Sequence, residues 1–146
     1  MDIDRVSRLL RDIERTLNVI EEIVDVDLSV FIADVRSRYA LRYAIVELVE
    51  ATATLGLHIL REDLNIERVE SYSQIFDKLV ENSIISVDTG ERMKKVVRLR
   101  NLIVHRYWDV EDTRIYREAR ESGIEVVKRF IEEVKSYVSR RRAGEA

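Results

Sequence analysis

Apolar residues recur along this chain at three- and four-residue intervals almost throughout, the period of a helix with one buried face. Ile3, Val6, Leu10, Ile13, Leu17 and Ile20 mark a first helix from about Asp4 to Val24. Leu41, Ile45, Leu48, Thr52, Leu55 and Ile59 mark a second, from about Val30 to Glu62. Gly56 inside it costs roughly 1 kcal/mol against alanine, which points to close packing at that turn. A short third helix begins near Ser71, with Ser71 or Ser73 as its N-cap, and ends near Asn82. A fourth starts after Ser86 or Asp88 and runs to about Arg106. A fifth spans about Asp112 to Arg141 and contains Gly123. The end of the chain, residues 140–146, reads as a frayed, disordered basic tail. No strand-period alternation is long enough to build a sheet, and no linker or repeat divides the chain. The pattern predicts an all-α fold, an antiparallel bundle of about five helices in a single domain over residues 1–146.

Composition narrows the chemistry. The chain has 146 residues, enough to bury a core without staples. It has no cysteine, which excludes disulfides, a thiolate zinc site and a cysteine nucleophile. Proline is absent too, so little interrupts the helices. The charged N-terminus, Met1-Asp2-Ile3-Asp4-Arg5, lacks the apolar core of a signal peptide, and no apolar run appears long enough to span a bilayer. These features predict a cytoplasmic protein with no membrane association. The net charge is −3, so any contact with RNA must use a local basic patch.

The fourth helix holds the chemistry. At about 100° per residue, Met93, Val96, Val97, Leu99, Ile103 and Val104 fill one arc of about 160°. Arg100 and Tyr107 fall near the middle of that apolar arc. Asn101 and His105, four apart, share its flank. A guanidinium in a core-facing stripe is costly unless it is paired or sits in a polar cavity. Geometry leaves these readings open: a buried salt bridge, with Glu47 or Glu50 of the second helix, an ion pair across an interface, or an anion site in which the planar fork grips a phosphate. His105 stands among a cation, an amide and a phenol within two turns. His58, on the register of Ala44, Glu47, Ala51 and Thr54, has no such company and reads as a packed core-edge residue. Lys94, Lys95, Arg98 and Arg106 are available for RNA backbone contact, or simply form a solvated face. Arg5, Arg8, Arg11 and Arg15 read as surface pairing residues of the first helix.

Arg100-Asn101, three apolar residues, then His105-Arg106-Tyr107 resembles the Arg-x4-His-x-Tyr signature of the HepT-like HEPN proteins. Ser71-Tyr72-Ser73-Gln74-Ile75-Phe76 is similar to that family's tyrosine–phenylalanine helix, and Asn82-Ser83-Ile84-Ile85-Ser86 to its connector into the motif helix. The family often carries a proline before the Ser-Tyr pair, where this chain has Val69-Glu70. The resemblance implies a HEPN-type helical bundle. It implies the toxin of a type VII-like HEPN/MNT toxin–antitoxin pair, partnered by an MntA-type minimal nucleotidyltransferase antitoxin. The implied activity is a metal-independent endoribonuclease acting on RNA without a cofactor. The implied assembly is a two-fold homodimer whose motif helices line one cleft. Arg100 and His105 would be catalytic, Asn101 supporting, and Tyr107 the tyrosine whose AMPylation by the partner silences the toxin. A non-catalytic HEPN module that only binds a nucleotidyltransferase is the alternative.

Overall fold

A computed structural model describes residues 1–145, with the backbone alone at Glu145. Helix α1 spans Ile3–Val24, α2 Leu28–Ala33, α3 Val35–Leu64, α4 Tyr72–Glu81 and α5 Val87–His105. Helix α6, Asp112–Glu118, passes through one π turn at Ala119–Gly123 into α7, Ile124–Glu145. The described residues contain no strand.

Two helix starts follow the predicted caps. The Ser71 hydroxyl accepts from the Gln74 amide at 3.1 Å and begins α4. The Ser86 hydroxyl accepts from Thr89 at 3.1 Å and begins α5. Asp88 therefore lies inside the helix, where it pairs with Arg129 at 2.9 Å. The α5 start is held from across the bundle as well. Glu133 on α7 accepts the Ser86 amide at 2.6 Å and also the Thr89 hydroxyl.

The pattern predicts one helix from about Val30 to Glu62, and here the structure differs. Asp34 is extended, at φ −105° and ψ 102°, and separates α2 from α3. Its carboxylate accepts from the Arg36 amide at 3.0 Å and the Ser37 hydroxyl at 2.8 Å. A short acidic side chain that can cap its own successor offers the backbone an alternative to staying helical. A second difference lies near the chain end. Helix α7 runs on through Arg140 and Arg142, which the composition assigns to a disordered tail, and Arg141 donates to Asp63 on α3 at 2.8 Å. Ala146, the last residue of that predicted tail, lies outside the described residues. A third concerns α3, which by length and composition alone is apolar enough to cross a membrane, contrary to the expectation that no segment is. Just over half of its most apolar window, 56%, is buried within the bundle.

Neighbouring helices run antiparallel. Thr16 on α1 donates to Glu47 on α3 at 2.9 Å. Helix α7 returns along α1 through Lys128–Glu21 and Lys135–Glu14 pairs. Helix α4 lies against α5, with Lys94 bonded to Asp77 at 2.8 Å near the middle. Helices α3 and α4 approach closely at Gly56, where a Cβ would come within 2.8 Å of Ile75 Cγ2 and 3.0 Å of Leu79 Cδ1. The predicted stripe of α3 is buried to its last member, and Phe76 and Phe130 close the core edge to face at 5.9 Å. This framework holds α5 on three sides, against α3, α4 and α7, and leaves its C-terminal end at the surface.

Candidate functional site

Arg100 is half-buried on α5, and its guanidinium lies over the Tyr72 ring, 5.0 Å from the centroid. Nη1 donates to Asn101 Oδ1 at 3.0 Å. Nε is cut off from solvent and has no acceptor. Of the sequence readings, the salt bridge within the chain is absent: among the described residues no carboxylate pairs with Arg100. Glu47, the predicted partner, takes the Thr16 hydroxyl, and Glu50 is exposed. The charge is therefore eased by a π face and one amide oxygen, both of which leave its positive field available to an incoming anion.

His105 is the last residue of α5 and is exposed. The next residue, Arg106, leaves helical geometry at φ −139° and ψ 44°, so Tyr107 lies outside the helix and not on the Arg100 face that a continuous wheel assigns to it. Tyr107 and Trp108 stand in a turn, 63% and 66% exposed, with their rings edge to face at 5.1 Å. Tyr107 borders a crevice on the α3 side with Tyr39, Arg42 and Ile103. Among the described residues no hydrogen bond or ring contact joins Arg100 to His105 or Tyr107. Arg100 and Asn101 are brought together, and the other two stand within a short reach of chain.

Arg42 is a residue that sequence reasoning missed. Its guanidinium reaches from α3 to the turn after α5. It donates to the Tyr107 carbonyl at 3.1 Å, the Val110 carbonyl at 2.9 Å and Asp112 Oδ1 at 2.7 Å. Arg38 adds a second contact to Asp112 at 3.4 Å. Nothing local in the sequence could reveal this clasp, since donor and acceptors are 65 to 70 residues apart. In the sequence Tyr72 stands out only as part of a family segment; its place beneath Arg100 is likewise a tertiary fact.

The basic residues of α5 divide. Lys94 bonds Asp77 and Glu91, which together raise its pKa, and Arg106 is tied to Asp109 at 2.6 Å. Lys95 and Arg98 are exposed and carry no ion pair among the described residues. On α1, Arg15 pairs with Asp12 at 3.6 Å. Among the described residues no group of three or more histidines and carboxylates is placed to hold a metal ion.

The motif and the fold find their match in a known family. Residues 13–134 match the model of the family described as ribonuclease HepT-like. This chain belongs to that family. Among solved structures, the HepT-like fold recurs in a tri-AMPylated HEPN toxin from Shewanella oneidensis in complex with its MNT antitoxin. That likeness has a TM-score of 0.81 at 24% identity and covers 93% of this chain and 98% of the other. The fold recurs in an MntA–HpeT toxin–antitoxin structure, with a TM-score of 0.79 at 25% identity, covering 91% of this chain and 98% of that one. It recurs again in YutE, a cytosolic protein of unknown function from Bacillus subtilis, at 0.78 and 19%, covering 97% and 93%. Direct sequence comparison with curated proteins finds no match. At these identities the structural likeness carries the fold, and the HepT-like chain is a HEPN-type bundle.

Proposed function

We propose that this HepT-like chain is the toxin of a type VII-like HEPN/MNT pair, a metal-independent endoribonuclease that acts as a homodimer in the cytoplasm. The observation that carries the reading is Arg100: a half-buried guanidinium held on Tyr72 and Asn101, with no carboxylate paired to it among the described residues. A fold that keeps a cation partly desolvated and uncompensated maintains an anion site, and the anion here is the scissile phosphate.

In the proposed reaction a base removes the 2′-hydroxyl proton and the 2′-oxygen attacks the adjacent phosphorus. An acid then gives a proton to the departing 5′-oxygen. Arg100 stabilises the charge that gathers on the phosphoryl oxygens. An imidazole changes charge near neutral pH and suits either proton transfer. One imidazole cannot do both in one step, and a two-fold dimer supplies His105 twice. Support for a dimer comes from the apolar side chains around the end of α5: Val104, Tyr107 and Trp108, with Tyr39 and Tyr43 of α3, are all exposed. The Tyr107 phenol is accessible, and its backbone is pinned by Arg42. It is the acceptor we assign to AMP transferred by an MntA-type partner, which would place a phosphate and a nucleoside in the cleft and exclude RNA.

The test uses purified protein and RNA with no metal added. Cleavage by the wild type and its loss in His105→Ala support the enzyme; binding of the nucleotidyltransferase with no cleavage of any RNA would leave only a non-catalytic partner module. Mass spectrometry after incubation with that partner and ATP should find the adduct on Tyr107, and an adduct found only elsewhere would remove that assignment.

A further inference from the structure

A pocket of about 390 Å³ opens between α3, α4 and α5. Its apolar lining comes from Leu57, Val69, Ile75 and Val97. Its polar lining comes from Glu70, Ser71, Ser73 and Asn101, and Tyr72 stands in its wall. Two of these residues are shared with the anion site: Tyr72 carries the guanidinium on its ring, and Asn101 accepts from Nη1. Because a guanidinium only donates, that bond fixes the Asn101 amide with its oxygen toward Arg100 and leaves Nδ2 free to donate elsewhere. The Ser73 hydroxyl has no partner among the described residues. Along α5, Val97, Asn101 and His105 follow one another at four-residue spacing, so His105 stands one turn, about 5 Å, beyond the pocket wall on the same side.

We infer that this pocket is a subsite for the nucleobase next to the phosphate held by Arg100, which makes the substrate RNA that is unpaired at the cut. The inference rests on the nuclease reading above. Whatever is anchored through a phosphate on Arg100 presents its neighbouring group to a wall made by the same two side chains. In RNA that group is a ribose and its base. Apolar walls suit the faces of a base, and a free amide and hydroxyl suit its edge. A base inside a duplex cannot enter such a pocket without leaving its stack.

The full-length protein is tested on a single-stranded oligoribonucleotide in which one abasic nucleotide is walked through the positions around the cut. An abasic residue at one position directly beside the cut should lower kcat/KM about tenfold or more, and elsewhere have little effect. Val69→Trp fills the pocket from the α3–α4 loop and Leu57→Phe from the α3 wall. Each, if its helical content is intact, should cut the whole strand more weakly and no longer distinguish it from the abasic one. Cleavage indifferent to every abasic position overturns the subsite and leaves the nuclease standing, as does a penalty that survives both fillings. The wild-type scan decides the matter even if neither variant folds. Failure of the wild type to cleave any RNA sinks the nuclease reading, and the subsite with it.

Discussion

Arg100 and His58 each keep a nitrogen away from both water and any acceptor, and their consequences differ. A buried donor left unmade costs roughly 1–3 kcal/mol. At Arg100 that cost attends a guanidinium that stays open to an anion. Arg100→Lys should therefore lower kcat about a hundredfold or more, because an ammonium has neither the fork nor the flat face that rests on Tyr72. Stability measured by urea unfolding should change by less than about 1 kcal/mol, since no ion pair is broken. An unchanged kcat would remove the arginine from the chemistry. At His58 burial, reinforced by the nearby Arg5 charge, holds the imidazole below its ordinary 6.5, against the opposing pull of Glu62 and Asp2. The unfolded chain then takes up this proton before the folded one does. Stability should fall as pH drops through that value. Thermal unfolding followed from about pH 7.5 to 5.5 should show the fall, and His58→Leu should flatten it. A slope unaltered by the substitution would assign it to other groups. Arg100 is legible in the sequence because a guanidinium is rare in a core stripe, and Asn101, His105 and Tyr107 stand out only through the signature they share with the family. The residues that position them are not legible, because Tyr72 and Arg42 meet the motif only after the chain has folded.

Among the elements, the helices with strong periodicity were read to within a residue or two. Helix α1, α4 and α5 begin and end close to where caps and apolar spacing place them. The errors fall where a side chain competes for backbone groups. Asp34 caps α3 and so splits a run that apolar spacing alone joins to α2. Between α6 and α7 the helix widens into a π turn, where Ser122 donates to the Glu118 carbonyl at 3.1 Å and a Cβ on Gly123 would lie 3.2 Å from that same oxygen. Neither feature disturbs the apolar period enough to be seen in it. Gly56 was the reverse case, since a glycine inside a long helix is a visible cost that demands a reason. Gly56→Val should lower unfolding free energy by about 1–3 kcal/mol, because its Cβ meets the stiff γ-branch of Ile75. A neutral result in urea titration would mean that α4 can move away freely.

For the whole molecule, the bundle was legible and the assembly was not. Helix order and antiparallel packing follow from short connections and one-sided apolar faces. The surface where a second copy would sit shows only as exposed aromatic and valine side chains around the α5 end, and single exposed residues are common on any protein. If that surface joins two protomers, Trp108→Glu should yield a folded monomer by sedimentation and abolish RNA cleavage together. Mixed dimers with one His105→Ala chain should lose most of their activity. Retention of half would show that each protomer works alone.

The reach of Arg42 from α3 to the Tyr107 and Val110 carbonyls ties the longest helix to the turn that carries the last residue of the motif. A peptide that contains every motif residue but begins after α3 lacks the strut that shapes its turn. A ribosome that has completed the second half of the motif has therefore already released the part that holds it. The shape of the motif's end is thus tied to a helix made well before it.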